Sequence, residues 1–194
     1  MDSDNPTGAD NQQERSGIEQ WIVGFVDGEG CFSVPIFRNS TYRLGWQVQP
    51  DFVVVQGARS VRVLHDLKQF FGCGDVFINR RHDNHREHLY RYSVRNLKHL
   101  SNRILPFFES NPLRTAKVEE FRKFAIVVRM MRNRSHLTQE GLIRIAKIAE
   151  TMNHRKPSRF LESSEAIRQP TLSDGEPKIW SEPCGDAGDP TLPN

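Results

Sequence analysis

Trp21-Ile22-Val23-Gly24-Phe25-Val26-Asp27-Gly28-Glu29-Gly30 is an apolar helix that runs into an acid–glycine–acid–glycine turn. Gly24 and Gly28 stand four apart on one helix face, where each glycine costs about 1 kcal/mol relative to alanine. That spacing lets another backbone approach closely along the face. The run is too short, and too soon broken by charge, to cross a bilayer. Asp27 and Glu29 lie at the helix C-terminus, where the dipole already carries partial negative charge. Two carboxylates there repel unless something positive sits among them, and a divalent metal would serve.

Read as aliphatic pair, Gly, apolar pair, Asp, small, acid, Gly, residues Ile22 to Gly30 resemble the signature of the LAGLIDADG homing endonucleases. Glu29 stands where that family usually has Asp. The resemblance implies a site-specific double-strand DNA endonuclease of the intron-homing kind. Phosphodiester hydrolysis of this type needs a metal to activate water and neutralise charge, and no nucleophilic side chain. Glu29 is expected as metal ligand, assisted by the Gly28 carbonyl, with Mg2+ as the ion or another divalent cation such as Mn2+. Gln56, ending Phe52-Val53-Val54-Val55-Gln56, matches a polar residue that positions water in relatives. Lys117, in Leu113-Arg114-Thr115-Ala116-Lys117, matches their active-site lysine, with Ala116 where many show a second lysine.

The signature occurs once. Cutting both strands needs two sites, so a homodimer is expected, packed through Trp21, Gly24, Phe25 and Gly28. A two-fold protein implies a pseudo-palindromic target of roughly 20 base pairs, two helical turns.

Charge distribution agrees with a polyanionic partner. Residues 1–30 carry one arginine against seven acids, residues 31–159 carry 24 Lys and Arg against 10 acids, and residues 160–194 carry 2 against 7. The middle block alone is strongly basic, which fits double-stranded DNA. No apolar run reaches membrane length. Cys31, Cys73 and Cys184 form no C-x-x-C pair, and free thiols point to a reducing, intracellular setting, a bacterial cytoplasm or an organelle.

Outward from the signature, residues 1–15 read as a disordered leader, 16–154 as the domain and 155–194 as a mostly disordered acidic tail. Ser16 and Glu19 form a capping-box pattern. Ile18, Ile22 and Val26 are expected to grip the core. Alternation predicts strands over 31–38 and 43–56, then a helix over 60–71 stopped by Gly72. Two more strands follow at 75–81 and 88–95, and helices over 97–109, 115–133 and 138–153. The order αββαββα, followed by further helices, is an α+β domain, a four-stranded antiparallel sheet with helices on one face. The outer face is expected to read bases through Ser33, Arg38, Gln47, Gln49, Asp51, Asn79, Arg81 and Arg91, glutamine being able to pair with adenine in the major groove. His82, His85 and His88 are three apart but lack acidic or cysteine partners at zinc spacing.

Two other functions fit the same fold: an RNA-binding intron maturase, which would make intron RNA a partner, and a non-cleaving DNA-binding regulator. The acid at Glu29 favours the nuclease. No appended helix-turn-helix is recognisable, which disfavours the regulator.

Overall fold

The computed structural model of the chain describes residues 7–79, 88–153 and 158–162. The first helix, α1 (Thr7–Glu29), starts nine residues ahead of the expected cap at Ser16, so the leader is helical from Thr7 onward. Pro6 precedes it, and Gln12 to Arg15 are all polar residues that sit readily in a helix. The helix buries Ile22, Val23 and Val26. Ile18, expected beside them, is 51% exposed.

The two long strands expected after the signature are each broken by a proline. Strands β1 (Gly30–Ser33) and β2 (Ile36–Arg38) flank Pro35; β3 (Trp46–Val48) and β4 (Asp51–Gly57) flank Pro50. β1 pairs antiparallel with β4, and β2 with β3. A proline has no N–H to give a ladder, so the hairpin bends where the two face each other. The Gln49 N–H donates to the Pro35 carbonyl at 3.0 Å and closes the bend.

Helix α2 (Val61–Phe71) ends at Gly72, whose φ of 59° is left-handed. Arg103 donates to the Phe71 and Gly72 carbonyls, both at 2.7 Å, covering that helix end. Strands β5 (Asp75–Asn79) and β6 (Leu89–Val94) complete the sheet, in the order β1-β4-β6-β5. Register settles the faces of β6: Phe52 pairs with Val94 and Val54 with Tyr92, all buried and sharing the helix-facing side. Arg91 and Ser93 take the opposite face by alternation.

A helical run follows as α3 (Leu97–His99), a π-turn (Leu100–Ile104) and α4 (Leu105–Ser110), then α5 (Lys117–Arg132) and α6 (Gln139–Glu150). Thr138 caps α6, its hydroxyl accepting from Gly141 N at 3.1 Å. The core is aromatic. Phe32 of β1 meets the rings of Phe52, Phe108, Phe121 and Phe124 at centroid distances of 5.1, 5.5, 5.2 and 5.4 Å, favourable offset and edge contacts.

The expected tail contains a docked element. Helix α7 (Arg159–Glu162) buries Phe160 to 1% exposure, its ring 5.3 Å from that of Trp46. Burying a phenylalanine contributes about 1.5–3 kcal/mol toward holding that turn on the domain, a contact that local composition does not reveal. Cys73 is a free, buried thiol, but Cys31 is disulfide-bonded, which removes the argument from free thiols for a reducing compartment. Among the described residues no helix is long and apolar enough to cross a membrane. The loop carrying Arg81, His82 and His85 lies outside the described residues, and so does Cys184.

Candidate active site

The turn from α1 into β1 is tight. A Cβ on Gly30 would lie 2.5 Å from Val26 Cγ1 and 2.8 Å from the Val26 carbonyl oxygen, so only glycine fits. The turn ends α1 with no basic residue of its own in the last turn. A cation arrives instead from 91 residues further on: Lys117 Nζ donates to the carbonyls of Val26 at 3.0 Å and Gly28 at 3.1 Å. An ammonium against exposed C-terminal carbonyls is the favourable pole arrangement.

Asp27 holds that lysine in place. Its carboxylate accepts from Arg114 N at 2.8 Å, Thr115 N at 3.1 Å and Thr115 Oγ1 at 2.7 Å. Thr115 Oγ1 in turn accepts from Lys117 N at 3.2 Å. Burial by itself raises the Asp27 carboxyl, but the Thr115 hydroxyl, the two backbone N–H groups and the Lys117 charge prevail and hold it below the ordinary value. Burial lowers Lys117 below the usual lysine range, against the opposing pull of Asp27 and Glu29. Asp27 is therefore a structural acid, its oxygens spent on the 114–117 turn.

Glu29 is exposed, and its carboxylate accepts no hydrogen bond among the described residues. It lies near enough to Lys117 to bear on its charge. The Gly28 carbonyl, expected to assist a metal, accepts from Lys117 instead. Gln56 sits on β4 opposite Tyr90, two residues past the Val54–Gly30 pair where β1 begins. That register places it beside the helix-to-strand junction, with no hydrogen bond to Glu29 or Lys117. No group of three His, Cys, Asp or Glu able to hold a metal occurs among the described residues. One exposed carboxylate per chain suits a hard cation such as Mg2+, which takes few protein ligands and keeps its waters.

Of the side chains expected to face a ligand across the sheet, two are buried. Asp51 is 2% exposed and Arg91 8%, locked together in an ion pair. Alternation gave their face correctly, but not that opposite charges at neighbouring positions would pair and close over each other. Ser33 donates to the Asp51 carbonyl at 3.4 Å. Arg38 lies over the Trp46 ring, 5.3 Å from its centroid, and Gln47 accepts from Asn39 Nδ2 at 2.7 Å. Gln49 is half-buried at the proline bend. Asn79 pairs with Leu89 in the ladder. Arg95, exposed, shares the Arg91 and Ser93 side by alternation, although it is not among the side chains expected to contact DNA.

On the free side of α1, Trp21 is 48% exposed and stacks on Phe25 at 5.1 Å. Cβ atoms on Gly17, Gly24 or Gly28 would meet nothing within 4 Å. With Ile18 this makes an apolar, small-residue face directed at solvent, the kind of patch that marks an interaction surface.

The LAGLIDADG endonuclease family model matches residues 22–128. A probable intron-encoded endonuclease 3 of Neurospora crassa is 32% identical over 138 residues, which is 70% of this chain and 25% of that protein. The chain spans only about a quarter to a third of the first curated relatives it matches. Among solved structures, the homing endonuclease I-TnaI superposes with a TM-score of 0.68 at 43% identity, covering 77% of this chain and 97% of that one. Meganuclease I-SmaMI, bound to uncleaveable DNA, superposes with a TM-score of 0.66 at 28% identity, covering 71% of this chain and 45% of that one.

Proposed function

This chain belongs to the LAGLIDADG endonuclease family, and on that premise we propose that it is a homodimeric, divalent-metal-dependent endonuclease that cuts both strands of a long pseudo-palindromic DNA target. The observation that carries the reading is the seating of Lys117 on the Val26 and Gly28 carbonyls beside an unengaged Glu29. The arrangement caps α1 and also sets an ammonium beside an exposed carboxylate, and concentrations of charge of this kind mark functional sites.

The glycine face of α1 supports the dimer. Trp21, Gly24, Phe25 and Gly28 would meet the same residues of a second copy across a two-fold axis, bringing the two Glu29 carboxylates together. The near-complete coverage of the I-TnaI chain shows a homing endonuclease whose chain holds about one such unit. The half coverage of I-SmaMI fits a chain with room for two such units.

Each residue then has a task. Glu29 would hold the cation, Mg2+ or Mn2+, with its counterpart in the partner. Such an ion would acidify a water and neutralise charge on the scissile phosphate. Lys117 supplies a fixed positive charge near the phosphate. Asp27 and Thr115 position Lys117, and Gln56 orients water at the strand end. The sheet face opposite the helices would lie in the major groove, held mainly by Lys and Arg contacts to phosphates.

The test is cleavage of a plasmid carrying the uninterrupted form of the gene that hosts this reading frame, with and without Mg2+. Cleavage should require the ion and vanish in Glu29→Gln, while a gel shift shows binding retained. Equal cleavage by Glu29→Gln would overturn the assignment.

A further inference from the structure

We infer that Arg95 determines specificity by reading a guanine in the target, and that Asp51 is the positioning residue that aims it. The inference rests on the DNA-endonuclease reading above. Asp51 sits on β4 with both carboxylate oxygens engaged: Ser93 Oγ donates to Oδ1 at 2.6 Å, and Arg91 Nη2 and Arg95 Nε donate to Oδ2, the latter at 2.8 Å. At 2% exposure it is too enclosed to meet a base itself. Its effect is exerted through the arginines.

The two arginines differ in access. The Arg91 side chain is 10% exposed and that of Arg95 43%. Arg95 follows directly on β6, on the face away from the helices. Its Nε is held by Asp51, so the opposite edge of the fork, Nη1 and Nη2, is left to face outward. That edge matches the paired acceptors O6 and N7 of guanine in the major groove. Guanidinium planes are usually mobile on the protein surface, and fixing one in advance removes much of the ordering cost of a planar two-bond contact.

Charge favours the same occupant. The exposed member of the cluster is the Arg95 guanidinium, which presents positive charge to a polyanion. Arg95 also borders an open crevice of about 780 Å³ at the β5 edge of the sheet, shared with His65 and Lys68 of α2 and Asp75 of β5. Lys68 and Asp75 pair with each other at 2.9 Å, so Asp75 does not compete for Arg95. A phosphate contact would need only charge. A buried acid that fixes the plane of the fork is what a base contact requires.

The experiment selects duplexes from a randomised pool with the full-length chain in Ca2+ buffer, then measures binding to selected duplexes changed one base pair at a time. The unmodified chain should select a guanine at one position of each half-site, preferred by about 5- to 150-fold over the other bases. Arg95→Ala should erase the preference at that position alone. Arg95→Lys should restore salt-dependent affinity but not the preference. Asp51→Asn should weaken the preference at the same position and have no further effect in the Arg95→Ala background; should it fail to fold, the Arg95→Lys result decides. A uniform loss across all duplexes in Arg95→Ala, or restored preference in Arg95→Lys, overturns the inference and makes Arg95 a phosphate contact. If the unmodified chain selects no sequence, the endonuclease reading falls first, and this inference with it.

Discussion

Thr115 Oγ1 donates to Asp27 Oδ1 at 2.7 Å, tying the last turn of α1 to a loop 88 residues further along the chain. The first acid of the signature thus works on the protein, and the second, Glu29, stays exposed. Asp27→Ala removes the acceptor of three donors and frees the 114–117 turn. The exposed setting moderates the stability loss to about 1 kcal/mol in a urea melt. Misplacing Lys117 should slow single-turnover cleavage by about a hundredfold, with DNA affinity little changed. An unaltered cleavage rate would show that Lys117 seats itself without Asp27.

Phe160 shows that part of the acidic segment belongs to the domain. It is 1% exposed and meets Trp46 edge to face. Phe160→Ala should cost about 3 kcal/mol, a fall in Tm of roughly 6–12 °C for a chain of this length. Calorimetry checks it, and a change of a degree or less would mean that α7 does not hold to Trp46 of β3.

What was legible in the sequence was the local chemistry. The signature turn, the amphipathic face of α2 and its glycine stop all follow from spacing within a dozen residues. Pro35 and Pro50 were visible too, but the apolar alternation continues on both sides of each and hides the break. Asp51 and Arg91 share the face that alternation assigns them, but they are buried against each other. Period two assigns a side, whereas burial depends on a partner 40 residues away. Nothing near Lys117 in the sequence says that it caps α1. Only the fold brings that ammonium to those carbonyls.

His136 should give the domain an acid-sensitive point away from the active site. It is half-buried, its Nδ1 has no partner among the described residues, and burial lowers its pKa below the ordinary 6.5. The folded state therefore resists the proton that the unfolded chain accepts. The stability that depends on neutral His136 is complete above pH 6.5 and is lost as pH falls from there through the lower folded-state value. Denaturant melts across that window should slope downward toward acid in the unmodified chain and flatten in His136→Ala. Parallel slopes would assign the acid sensitivity to other groups.

Gly24 and Gly30 are six residues apart in sequence, yet alanine should act oppositely at the two. At Gly30 the new Cβ falls 2.5 Å from Val26 Cγ1 and 2.8 Å from a backbone oxygen that cannot move aside. Gly30→Ala should therefore destabilise the fold by about 1–3 kcal/mol. At Gly24 the same atom meets nothing within 4 Å, and alanine is the better helix former by about 1 kcal/mol. Were the chain a monomer, Gly24→Ala would be stabilising or neutral. In a dimer packed through this face, the methyl group enters a seam where two backbones need to approach, and it should drive the subunits apart while leaving each one folded. Sedimentation equilibrium separates the cases, with Gly24→Leu as the stronger variant. Monomers that keep their circular dichroism and lose double-strand cleavage support the seam. A dimer mass for Gly24→Leu would place the contact between copies elsewhere on the surface.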